Sequence, residues 1–300
     1  MTATTTDTPL ALRRPSGVRT VKNALATVFV ALATVLTIIP LAWVLTTVII
    51  KGYRLLLTPT WWLQSQRGIT PRREGGGAYH AIVGTVEMAL ICAAIAVPLG
   101  VMGAILLIEY GRGTKIARGV SFMVDILSGI PSIVAALFIY ALFITIFGLG
   151  RSAVAVSCAL VLLMLPVVLR STEEMLKLVP DSLREASYSL GVAKWKTIVK
   201  VVIPTAFGGI VTGVMLRLAR VMGETAPLLI LVSYAVGINF SPTSDTMGAL
   251  PTMINAGRDQ PPQFPGYERV WAAALTLIII VMLLNLLARF IAHVTTPRRK

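Results

Sequence analysis

The chain has 300 residues, 56% of them hydrophobic and 13% charged, with a mean hydropathy of +0.81 and a formal net charge of +14. That composition excludes an ordinary soluble domain and marks a polytopic membrane protein. The basic residues are scattered over many loops with no nucleic-acid module beside them, so membrane topology and lipid account for the charge and no nucleic acid is expected as a partner.

A basic tail, residues 1–22, precedes a charge-free run at 23–50 that is too long for a signal-peptide core and reads as a retained span. Apolar runs at 79–108, 120–147, 153–170, 205–237 and 270–292 follow, and residues 293–300 form a second basic tail. Residues 23–292 therefore read as a single membrane domain of six spans. Continuous runs predict helices rather than the short alternating strands of a barrel. Pro40, Pro98 and Pro131 predict kinks rather than breaks. Trp61 and Trp62 beside Pro59 suit a headgroup belt, Asp125 is placed to pair with a loop cation, and the stretch Gln260 to Pro265 reads as an irregular connection.

Six spans put both termini on one side. That side would hold Arg13, Arg14, Arg19, Lys22, Arg112, Lys115, Arg118, Arg170, Lys177, Arg184, Lys194, Lys196, Lys200, Arg289, Arg298, Arg299 and Lys300. The other would hold Lys51, Arg54, Arg67, Arg72, Arg73, Arg151, Arg258 and Arg269. The positive-inside rule makes the richer side cytoplasmic. The first external loop, with five basic residues, is the exception, and a long loop translocates regardless of its charge.

No phosphate-cradling G-x-x-x-x-G-K-[ST] loop and no G-x-S-x-G nucleophile elbow occurs, so neither ATP hydrolysis nor another enzymatic activity is expected of this chain. Cys92 and Cys158 fall inside apolar runs, where thiols behave as small hydrophobes, and His80 and His293 lie at opposite ends of the chain, which gives no metal cluster and no cofactor.

The stretch 171–204 interrupts the apolar pattern. Asp181 or Ser182 can cap a short helix that carries Leu183, Ala186 and Leu190 on one face and stops at Gly191. A second helix from Lys194 would show Trp195, Ile198, Val199 and Val202 on an apolar face and end at Pro204, where the next span begins. The product is a helical elbow at the cytoplasmic surface. It serves either as a docking handle for a motor or as an interfacial anchor.

The fifth run carries Arg217, Arg220 and Glu224 at i, i+3 and i+7, one stripe of one helix. These positions lie roughly 20 to 30 Å beyond Pro204 at 1.5 Å per residue, deep in a bilayer. Charge there costs at least roughly 2.5 kcal/mol on insertion scales, so such groups face a protein-lined or wet interior. The excess positive charge suits an oxyanion held by arginine forks. The structural alternative pairs Arg220 with Glu224 and Arg217 with backbone carbonyls or Glu87.

Glu185-Ala186-Ser187, Gly191 and Ile203-Pro204 resemble the EAA loop of bacterial ABC-importer permeases, with Ser187 at the third Ala and Val201 where Ile is usual. Gly129-Ile-Pro-Ser132, Leu165-Pro166 through Arg170 to Glu174, and Arg217 through Gly223-Glu224 to Pro227 are similar to the phosphate-specific branch, most of all its PstA-type subunit. The resemblance implies an all-α, six-helix type I (MetI-like) permease of the inner membrane. It implies a function, import of inorganic phosphate through a pathway of which this chain forms half, and partners: a PstC-type permease, two ATPase subunits that bind ATP and Mg, and an extracytoplasmic phosphate-binding protein. It makes Glu185, Ala186, Gly191 and Pro204 coupling residues, and Arg217, Arg220 and Glu224 the substrate pathway, with Glu224 either a gate or a structural partner. Another oxyanion such as sulfate, an ATP-independent transporter and a phosphate-sensing scaffold are the rival readings.

Overall fold

The computed structural model describes residues 17–295, which leaves Arg13, Arg14, Arg298, Arg299 and Lys300 of the basic tails outside it. Residues up to Ile50 form one unit and those from Lys51 onward another. The first unit is the greater part of helix α1 (Gly17–Leu56), which runs unbroken through Pro40.

The second unit begins with the end of α1 and continues through α2 (Pro59–Leu63), α3 (Tyr79–Ile105), α4 (Lys115–Ser128), α5 (Ser132–Ile139), α6 (Ala153–Lys177), α7 (Asp181–Ser189), α8 (Lys194–Thr197), α9 (Ile203–Val221), α10 (Ala226–Leu231), α11 (Leu250–Gly257) and α12 (Pro265–Thr295). Wide π turns extend three of these helices, at Leu106–Tyr110 after α3, Tyr140–Ile146 after α5 and Ile198–Val202 between α8 and α9. Among the described residues, five helical stretches are long and apolar enough to cross a membrane, six if the bent pair α4–α5 counts as one span. Among the described residues the only strand-like pairing is an isolated bridge between Ser233 and Thr246.

The centre of this unit is the α3–α6 pair. Met88, Cys92 and Ala96 of α3 share one buried core with Val156, Leu160 and Met164 of α6. The Cys92 Sγ lies 3.6 Å from the Met164 Sδ, and the Ser157 hydroxyl donates to the Met88 carbonyl at 3.2 Å. Lipid tails are as apolar as these side chains, so close approach of small residues, rather than escape from water, holds such a pair together. α3 packs as tightly at Gly84 against the segment before α11, since a Cβ there would overlap the Gly248 carbonyl oxygen. Backbone cannot step aside as a side chain does, so Gly84→Ala is expected to cost about 3 kcal/mol or more, seen as lost yield of monodisperse, detergent-extracted protein.

Three sequence expectations change here. The 120–147 run is broken rather than kinked, its two halves bent by 104°. Gly129 ends α4, and Pro131, which drives Ile130 away from helical geometry, starts α5. The 205–237 run ends its helix at Val221 and resumes only over Ala226–Leu231. Trp61 is fully buried rather than interfacial, its indole N–H donating to the Thr276 hydroxyl at 2.9 Å, while Trp62 stays partly exposed.

The basic first loop is pinned to the protein. The Arg269 Nη2 donates to the carbonyls of Thr70, Pro71 and Arg73 at 2.9, 3.2 and 2.9 Å, and Arg72 lies over the Phe264 ring. Lys51 sits over the rings of Tyr267 and Trp271. Cation and ring contacts of this kind absorb charge without a carboxylate partner.

Candidate functional site

The breaks in the two discontinuous spans line one cavity of about 240 Å³. Leu127 and Ser128 end α4, Ile130, Pro131 and Ser132 turn into α5, and Leu163, Met164 and Val167 form the α6 wall. Arg217 and Arg220 come from the last turns of α9, and Glu224 from the break that follows. The three charged residues singled out in the sequence therefore share one cavity, but not one helical stripe. The turn at Met222 and Gly223 lifts Glu224 off the helix, and its N–H closes back on the Val221 carbonyl at 3.1 Å.

The structural pairings that the sequence allowed do not form. Among the described residues, no side-chain hydrogen bond or ion pair engages Arg217, Arg220, Glu224 or Glu87. Arg220 is exposed and Arg217 and Glu224 are half-buried. Two cations and one anion thus face one cavity with their hydrogen-bonding capacity open. The N-terminal end of α5, which carries the positive pole of a helix dipole, adds to the same field. Ser128 and Ser132 were not singled out for this site; their signal was the Gly129-Ile-Pro break, which reads as a mere kink when a run is assumed to cross in one piece.

Just beyond the cavity Asp125 of α4 meets Arg170 of α6, Oδ1 to Nη2 at 2.6 Å, and Arg170 also binds Glu173 at 2.6 Å. Asp125 thus pairs with a cation on a neighbouring helix rather than on a loop.

The elbow at 181–203 forms, with changes at both ends. Pro180 takes the cap position of α7 and contributes no side-chain bond, while the Asp181 carboxylate receives Arg184 instead. Gly191, at φ 74°, ends α7 in the left-handed region that favours glycine. Leu183, Glu185, Ala186 and Leu190 face outward, Leu190 with 82% of its surface exposed. Ser187 points inward, where its hydroxyl pairs with that of Thr197 at 2.8 Å and ties the elbow's two helices together. The departure from the EAA pattern at Ser187 thus supplies a bond that Ala lacks.

Pro204 does not end a helix. The π turn at Ile198–Val202, where the Ile203 N–H reaches back to the Ile198 carbonyl, leads unbroken from α8 into α9 and accommodates the missing proline N–H. Ile198 and Val202 are buried on the inner face, whereas Trp195 and Val199 remain exposed.

The family model for the inner membrane component of binding-protein-dependent transport systems matches residues 96–300. The chain belongs to that family. It is 51% identical over 292 residues to the phosphate transport system permease protein PstA 1 of Mycobacterium tuberculosis, covering 97% of this chain and 92% of that protein. It is 37% identical over 282 residues to the PstA of Yersinia pestis, covering 93% and 92%. In fold it is similar to a bacterial ABC transporter that imports the acidic polysaccharide alginate, with a TM-score of 0.61 at 16% identity over 93% of this chain and all of that one. An inward-facing methionine transporter, MetNI, matches at a TM-score of 0.55 and 24% identity, over 74% of this chain and 95% of that one. The fold is that of an ABC-importer permease, a multi-pass transport subunit of the inner membrane.

Proposed function

We propose that this chain is the PstA-type permease of an ATP-driven importer of inorganic phosphate. The observation that carries the reading is the cavity between the two broken spans, where Arg217 and Arg220 outnumber Glu224 and make no ion pair among the described residues. Guanidinium forks match phosphate oxygens bidentately, and the excess positive charge is neutralised when the anion enters. The names of the relatives in Mycobacterium and Yersinia support phosphate over other oxyanions.

The cavity supplies half of the pathway and a PstC-type permease the other half. An extracytoplasmic phosphate-binding protein delivers substrate, and two ATPase subunits hold ATP and Mg. Their groove receives the outward face of the elbow, Leu183, Glu185, Ala186 and Leu190, on the cytoplasmic side, where both termini also lie. Glu224 lines the same cavity as the arginines, and closing on them when substrate leaves would make it a gate. The chain itself carries out no catalysis and binds no cofactor.

Reconstituted with its partners in vesicles, the complex is expected to take up labelled phosphate only when ATP is present. A hundredfold excess of sulfate should leave that uptake nearly unchanged. Equal competition by sulfate would make the substrate another oxyanion, and uptake without ATP would make the chain a secondary transporter.

A further inference from the structure

The most completely bonded side chain of the elbow faces inward, away from any docking partner. Arg184 is only 6% exposed. Its Nε and Nη2 donate to the Glu109 Oε1 at 3.2 and 2.9 Å, its Nη1 to the Val179 carbonyl at 2.7 Å and the Asp181 Oδ1 at 2.9 Å, and its Nη2 also to the Leu176 carbonyl at 3.0 Å. Glu109 lies in the π turn that ends α3 and is itself buried. Leu176 and Val179 sit at the end of α6, where a cation satisfies orphan carbonyls and the negative pole of the helix. One guanidinium therefore bolts the elbow to the ends of both helices of the central pair. A second tie reaches the same π turn, because the Lys194 ammonium lies 4.9 Å from the Tyr110 ring centre.

We infer that Arg184 and Glu109 are positioning residues that carry movement of the elbow into the α3–α6 pair, whose α6 forms one wall of the cavity. The inference rests on the permease reading above and deepens it. Along the chain, the elbow connects forward through the π turn at Ile198–Val202 into α9, which bears Arg217 and Arg220. That route moves one wall of the cavity. Another wall, Leu163, Met164 and Val167, belongs to α6, which the short link 178–180 joins to α7; the buried side-chain ties of α7 to the ends of α6 and α3 run through Arg184, beside an exposed Arg112–Asp181 pair at 3.7 Å. A rigid fork with every nitrogen engaged transmits displacement in several directions, as a flexible ammonium does not. With the joint intact, a pull on the elbow shifts both walls together.

The test uses the complete reconstituted complex and measures phosphate transported per ATP hydrolysed, beside assembly and basal ATPase activity. Glu109→Gln keeps the shape of the side chain and removes its charge, and Arg184→Lys keeps the charge and removes the fork. Both variants are expected to assemble with basal ATPase within about twofold of the unmodified complex and to lose tenfold or more in phosphate moved per ATP. An unchanged ratio in either assembled variant overturns the inference. Failure of the isosteric Glu109→Gln complex to assemble overturns it too, because the pair would then serve folding alone. The unmodified complex separates the two readings: if it shows no ATP-dependent phosphate uptake, the permease reading fails, and if it does while the variants remain coupled, only the joint fails.

Discussion

Arg220→Gln is expected to lower phosphate uptake by roughly a hundredfold while the complex still assembles. The side chain is exposed, lines the cavity and engages no partner among the described residues, so its removal breaks no bond among them and leaves no buried carboxylate there without its counter-ion. Loss of a charge-assisted, bidentate contact is worth about 2.7 kcal/mol, which is a factor of about 100. Arg220→Lys distinguishes charge from shape, since an ammonium keeps the field but offers no planar fork, and it should fall between the two. Arg217→Gln tests the second cation in the same assay. Unimpaired uptake by a well-expressed Arg220→Gln complex would remove this residue from the pathway.

The cavity owes its existence to features that hydropathy does not reveal. Broken backbone inside a bilayer survives only where it is covered by protein or lines a wet space, since hydrocarbon offers no hydrogen bonds to the freed groups. Both breaks here, Gly129 to Pro131 and Met222 to Thr225, abut the same cavity. Substrate sites in transport proteins are commonly formed by such discontinuous helices, whose half-helix ends aim dipoles at the solute. The break after α9 also separates Glu224 from the rigid helix that bears the arginines. It therefore answers to the position of α10 as well as α9, which suits a gate better than a fixed partner.

The sequence disclosed the apolar runs and the polar elbow because both are written as local composition. Four runs, 23–50, 79–108, 153–170 and 270–292, became helices close to their expected places, and Gly191 took the left-handed turn its position called for. Breaks were harder to read. A Pro or Gly inside an apolar run permits a kink or an end, and the ends at Gly129 and Val221 go with the packing of α5 and α10 against α6, which local sequence does not display. Trp61 and Trp62 are adjacent and chemically identical, yet only the first finds Thr276 as a buried partner, a contact across more than 200 residues. The sequence shows Arg184 only as one of the basic residues of the cytoplasmic side. Its burial depends on Glu109, which is equally distant in the chain from any signal that would mark the pair. Charged groups at long sequence separation are where local pattern carries least information.

Gly191→Pro is expected to uncouple ATP hydrolysis from transport, with phosphate moved per ATP reduced by about tenfold or more. Gly191 sits at φ 74°, and its N–H donates to the Tyr188 carbonyl at 2.9 Å, while the next N–H, of Val192, reaches the Ser187 carbonyl at 3.2 Å. Proline holds φ near −65° and has no N–H, so it forbids the turn and deletes its closing bond together. The Ser187–Thr197 tie, which depends on α7 folding back beside α8, then loses its geometry. Gly191→Ala is the graded control, because a left-handed residue with a Cβ costs roughly 1 to 2 kcal/mol but keeps the N–H. It should retain most of the coupling. If the elbow were only an interfacial anchor, proline would lower the yield of membrane protein without changing the transport-to-hydrolysis ratio of what remained. A docking elbow predicts the reverse, a complex still present and hydrolysing ATP, whose helices no longer pass that movement on to the spans.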